Sequence, residues 1–228
     1  MSRLNVQPRR KFLQSLTLGA AAIGTAGISA PISVSAEGID AWYEGDPELW
    51  MKKIKGKHRI VYDVTEPHQQ FPFAWPRVFL LTNEATGTPP GDCSVVVVLR
   101  HNAIPFALNN DLWEKYKLGE MFHVKDVNTN QTPSKNPFWN PAPGTYKFPG
   151  FGAVSIGINE LQESGVQFLV CDAAMTVYSA IAAGNSGNAA EIKKEWAAGV
   201  LPGIHVVPSG VWAVGRAQEK GCGYCFVR

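Results

Sequence analysis

The sequence has few of the features that mark a membrane, nucleic-acid or metal protein. Its charge is nearly balanced, 21 Lys and Arg against 19 Asp and Glu. No basic patch offers the footprint a phosphate backbone needs, so nucleic acid is not an expected partner. The one long apolar run, Phe12 to Ile28, is diluted by Gly and Ala and makes a poor span, and no later stretch is a better one. Cysteine is scarce: Cys93, Cys171, Cys222 and Cys225 are the whole set. Tight Cys/His spacing is missing too. His101, Met121, His123, Cys171 and Met175 are soft ligand types without a ligand motif. Neither a metal nor a cofactor is expected.

What is present begins at the N-terminus. Residues 1–36 contain Arg3, Arg9, Arg10 and Lys11 and no acidic residue, and "SVSA" ends at Ala36 with small residues at Val34 and Ala36. That is the form of a secretory signal. "RRKFLQ" adds the twin-arginine signature, with Phe12 and Leu13 after the pair, and predicts export to the periplasm or beyond. With residues 1–36 removed, 17 basic residues face 19 acidic ones, and the remaining length suits one domain. The expected organisation is a signal at 1–36, a lead-in at 37–57 and a domain at 58–228. An even cysteine count in an exported chain suggests disulfides. A domain of this size needs no such staples, and a twin-arginine substrate folds in a reducing compartment.

Five short apolar runs alternate with helical segments. "RIVYDVT", "CSVVVVLR", "VQFLVC", "IHVVPSG" and "YCFVR" read as strands. The four valines in succession predict a strand covered on both faces. "FAWPRVFLLTNEATG", "IPFALNNDLWEKYKL", "FGAVSIGINELQESG", residues 174–198 and "VWAVGRAQEKG" read as helical. Residues 125–150, rich in Pro, Asn, Gly and Thr, read as a long loop, either a lid, an oligomer contact or plain surface. The tryptophans are spread along the chain and read as packing. The alternation predicts an α/β fold, a flavodoxin-like three-layer sandwich with a five-stranded, mainly parallel sheet.

In such sheets ligands sit at the carboxyl ends of the strands. Those ends carry Thr65 and Glu66, then Arg100, His101 and Asn102, then Cys171 and Asp172, then Ser209 and Gly210. Cys171 closes an apolar strand and opens a helix. Such a thiol is either a small buried hydrophobe at a strand end or a placed nucleophile, in which case free N–H groups and the positive end of the helix dipole are expected to bring it below the free-cysteine value of about 8.5. His101 is the expected acid/base or orienting partner. Asp172 opposes a thiolate unless it turns away to cap the helix. Ser209 and Gly210 are expected to offer N–H donors to an anion, with Asn102 beside them. Cys93 falls at the opposite edge, so Cys171 is expected to be unpaired. "CGYC" at 222–225 runs into a strand and reads as structural, since residues three apart there face opposite sides.

The runs "GVQFLVCDAAM" and "GVLPGIHVVPSGVWAVGRAQEKGCGYCFV" resemble the DsrE/DsrF-like sulfur-relay family, in which a strand ends in the active cysteine, a "VPSG" turn follows and a helix and short aromatic strand close the chain. "VVVVLRHNAIPFAL" is similar to the family's second strand with its histidine. The resemblance covers most of residues 58–228 and is strongest after Gly165. It implies a homo-oligomer that passes sulfur as a persulfide on Cys171, to or from a partner protein or small sulfur compound. A reading from another class stands beside it: a non-catalytic binding or accessory protein using the same edge for a small ligand.

Overall fold

The computed structural model describes residues 46–89, 91–184 and 187–228. The signal segment and the start of the lead-in lie outside them. Asp46–Arg228 forms one compact unit, so the lead-in from Asp46 onward belongs to the folded domain. Its short 3-10 turn, Leu49–Lys53, buries Trp50 and Met51.

Five strands form an all-parallel sheet: β1 (His58–Val64), β2 (Cys93–Leu99), β5 (Gln167–Cys171), β6 (Ile204–Val207) and β7 (Gly223–Val227), in the order β6-β5-β2-β1-β7. Successive strand residues serve opposite faces, as the pleat requires. Tyr62, Val64, Val95, Val97, Leu99, Phe168 and Val170 build the larger core. Over it lie α1 (Phe71–Ala85), α2 (Asn110–Lys115), α3 (Leu118–Met121), α4 (Ile158–Glu163), α5 (Asp172–Ala183) and α6 (Ala189–Ala198). Val61, Val96, Val98, Leu169 and Val207 face the other way, against Trp50 and against Ala213, Val214 and Ala217 of α7 (Gly210–Glu219). The result is a three-layer α/β sandwich of flavodoxin-like type.

Two expected helices are interrupted, for local reasons. In 104–118, Pro105 sits in a 3-10 segment (His101–Ala107), and Asn109 starts α2 by accepting a hydrogen bond from Leu112 N at 3.0 Å. In 151–165 only α4 is helical. Gly150 and Gly152 adopt left-handed backbone (φ 80° and 75°) around the small hairpin of β3 (Lys147–Phe148) and β4 (Gly152–Ala153). α4 begins only after Gly157, whose N–H donates to Glu160 Oε2 at 2.7 Å.

The 125–150 segment is pinned to the core. Asn136, 3% exposed, donates to the Phe106 and Leu108 carbonyls at 2.8 and 3.1 Å. Phe138 stacks on Phe73 and Tyr146, with ring centroids 4.2 and 5.0 Å away. Among the described residues no helix is long and apolar enough to cross a membrane.

Candidate functional site

The topology singles out one crevice at the carboxyl edge. The chain leaves β5 into α5, on the larger-core face, and leaves the neighbouring β6 into α7, on the opposite face. Adjacent strands whose outgoing connections part in this way open a crevice between their ends, the usual ligand position in open α/β sheets. Cys171 stands on one side of it and Gly210 on the other.

Cys171 is the last residue of β5 and the N-cap of α5. Its Sγ accepts the Ala174 N–H at 3.3 Å. The Gly210 backbone N–H, in the first turn of α7, and the Arg100 guanidinium also act to lower the thiol's pKa. These three influences favour an anionic sulfur. Burial outweighs them: Cys171 is 6% exposed, and its thiol is pushed above the ordinary cysteine range. The expected low-pKa thiolate is therefore corrected. The group is a buried thiol in which burial and the neighbouring Asp172 oppose the anion that Ala174, Gly210 and Arg100 favour.

Arg100 is held in place. Its Nε and Nη2 donate to Asp63 Oδ1 and Oδ2 at 2.6 and 2.9 Å, and Tyr224 Oη donates to Asp63 Oδ2 at 2.8 Å. Asp63 is 3% exposed in the middle of an apolar strand, where an ionised carboxylate needs such partners. Asp63 raises the pKa of Arg100, chiefly through this hydrogen bonding.

The other expected site residues divide. His101 does not reach the thiol; its Nδ1 lies 3.4 Å from Tyr178 Oη and its Nε2 3.8 Å from Glu66 Oε1. Arg100 takes the place expected for His101 beside Cys171. His101 also has left-handed backbone (φ 52°), which turns it away from the line of β2. Asn102 joins the same cluster: its Nδ2 donates to Glu66 Oε2 at 2.9 Å, and Tyr178 Oη donates to its Oδ1. Burial, then the Glu66 charge, raises the Tyr178 phenol.

Asp172 does not cap α5, since Cys171 does. Its carboxylate meets Lys193 Nζ at 2.7 and 2.8 Å, both side chains about 5% exposed. Burial pushes Asp172 up and Lys193 down, and each offsets the other's shift. Ser209 is the N-cap of α7, its Oγ accepting from Trp212 N at 3.2 Å, so its hydroxyl serves the helix. All four cysteines are free thiols. Among the described residues no group of three His, Cys, Asp or Glu is placed to hold a metal.

Gly210 sets how closely α7 approaches. A Cβ there would lie 2.5 Å from Arg100 Cβ and 2.7 Å from its Cδ. Gly210→Ala is expected to cost about 1–3 kcal/mol, the usual range for overpacking. Gly215→Ala, in the same helix with nothing within 4 Å of the new methyl, is expected to stabilise by about 0.5–1 kcal/mol. Paired urea titrations check the opposite signs.

The fold and site define a three-layer α/β protein with a buried thiol at the crevice between β5 and β6. No family model matches the chain, and no curated protein matches it. Among solved structures, it is similar to a protein of unknown function from Methanobacterium thermoautotrophicum at 17% identity and a TM-score of 0.35, over 75% of this chain and all of that one.

Proposed function

We propose that this chain is a DsrE/DsrF-like sulfur carrier that takes up and passes on a sulfane sulfur at Cys171. The observation that carries the reading is the position of Cys171 as the N-cap of α5, its Sγ accepting the Ala174 N–H at 3.3 Å, with the Gly210 N–H and the Arg100 charge also lowering its pKa. Each of these influences favours sulfur as an anion, against the burial that raises the resting thiol, and the anion is the form that attacks and the form in which a persulfide rests. In the transfer, Cys171 thiolate attacks the outer sulfur of a donor persulfide. A new S–S bond forms at Cys171, the donor's S–S bond breaks, and the donor leaves as thiolate. No net oxidant is required. Passing the sulfur to an acceptor thiolate repeats the same exchange.

The 6% exposure of Cys171 and its raised pKa favour a second reading, a binding or accessory protein in which the thiol is core. Intact mass after incubation with glutathione persulfide separates the two. A gain of one sulfur in the wild type and none in Cys171→Ser supports transfer. Equal gain in both proteins, or none in either, favours the second reading.

Export by the twin-arginine route and assembly as a homo-oligomer belong to the same proposal. Arg9→Lys with Arg10→Lys is expected to leave the precursor uncleaved in the cytoplasm, because that route reads the guanidinium pair. Fractionation and immunoblotting check this; continued processing removes the export assignment.

A further inference from the structure

A second concave site lies beside the carboxyl end of β1. The β1–α1 loop (Pro67–Gln70), the segment following α3 and the start of β3 enclose a cavity of about 460 Å³. That volume is in the range of small-molecule pockets. Its lining is largely polar and carries two lysines and two histidines beside Phe148.

Tyr146 is 3% exposed, its ring stacked on Phe138 and its hydroxyl committed to the Pro137 carbonyl at 2.5 Å, so Phe148 is the aromatic lining side chain left to meet an occupant.

The rim carries two imidazoles, His68 and His123, and two ammonium groups, Lys125 and Lys147. Lys125 Nζ donates to Thr132 Oγ1 at 3.0 Å, and among the described residues no carboxylate forms an ion pair with either lysine. The one acidic lining residue, Asp126, turns its Oδ1 into its own loop. That oxygen accepts from Asn128 N, Thr129 N and Thr129 Oγ1 at 3.0, 2.8 and 3.0 Å. Among the lining residues the two lysines therefore outnumber the one carboxylate.

His68 stacks on Phe71 at 5.3 Å. Gln69, His123 and Asn130 hold left-handed backbone at φ 50°, 54° and 57°. Such conformations are costly for non-glycine residues and persist where the surroundings enforce them.

We infer that this cavity binds a small oxyanion carried on a short apolar body, such as a phosphate monoester or a carboxylate. The lysines and imidazoles meet the anion, and Phe148 meets the body. The site does not depend on Cys171 or on persulfide transfer.

Phenyl phosphate, inorganic phosphate and phenol serve as probes, read through the imidazole C–H signals of the five histidines by NMR, assigned with single His→Gln variants. Phenyl phosphate is expected to move the His68 and His123 signals saturably while His58 and His205 stay in place. Inorganic phosphate is expected to bind roughly tenfold more weakly because Phe148 goes unused. Lys125→Gln with Lys147→Gln, both at exposed positions, is expected to weaken phenyl phosphate by roughly tenfold or more. Cys171→Ser should bind it as the wild type does. The inference is overturned if the His68 and His123 signals do not saturate. It is equally overturned if phenol binds as tightly as phenyl phosphate, if inorganic phosphate matches phenyl phosphate, or if the double lysine variant binds unchanged.

Discussion

Replacing Lys193 by Ala is expected to destabilise the protein by about 3–5 kcal/mol, the usual loss when one member of a buried ion pair is removed. Lys193 lies on α6 and meets both oxygens of Asp172 at the start of α5, with each side chain about 5% exposed. Without the ammonium, the carboxylate is left buried beside Cys171 in an environment that already raises its pKa. Asp172→Leu together with Lys193→Met removes both charges and is expected to recover most of the loss, since a well-packed apolar pair replaces a buried ionic one at little cost. Chemical denaturation checks both, read as midpoint shifts at constant slope. A Lys193→Ala midpoint equal to the wild type's would show that the pair contributes nothing to stability. Lys115→Ala is the comparison. Its pair with Glu195 is short, 2.7 Å, but both groups are solvated, and the effect should be small.

Much of the architecture was legible because the strands are short, apolar and strongly β-branched. The valine run of β2 and the junction at Cys171 needed only pattern and position. In 151–165 the helix forms only over Ile158–Glu163, because left-handed Gly152 and extended Gly157 interrupt the apolar spacing before it. The site was only half legible. Asp63 within "RIVYDVT" is a charge in a buried strand, but its pairing with Arg100 appears only once β1 and β2 lie side by side in the sheet. Lys193 gave no signal, since two lysines in a helix with little apolar bias read as a solvated face. Tyr178 and its link to Asn102 were hidden for the same reason. Side chains that meet across the sheet edge are far apart in sequence, and their spacing carries no periodicity. The thiol's direction of shift was missed because the helix terminus can be inferred from sequence, whereas depth of burial depends on the packing of α5 and α7 over it.

The second large effect is at Cys171 itself. Cys171→Ser keeps an N-cap acceptor toward Ala174 N, so the fold should persist. Sulfur uptake should be lost, because a hydroxyl does not form a persulfide. Arg100→Gln should move the alkylation profile of the thiol to higher pH, since the guanidinium is one of the influences lowering its pKa against burial.

The most direct test uses the four thiols as one another's controls. Cys93 and Cys225 are half-buried, whereas Cys171 and Cys222 are each 6% exposed. Exposure alone would direct a sulfane donor to Cys93 and Cys225. The native protein is treated briefly with glutathione persulfide, quenched and mapped by peptide mass. Persulfide transfer at the β5–β6 crevice predicts that Cys171 gains sulfur first, and that Arg100→Gln slows the gain. Sulfur on Cys93 or Cys225 alone, with Cys171 modified only after denaturation, would contradict it.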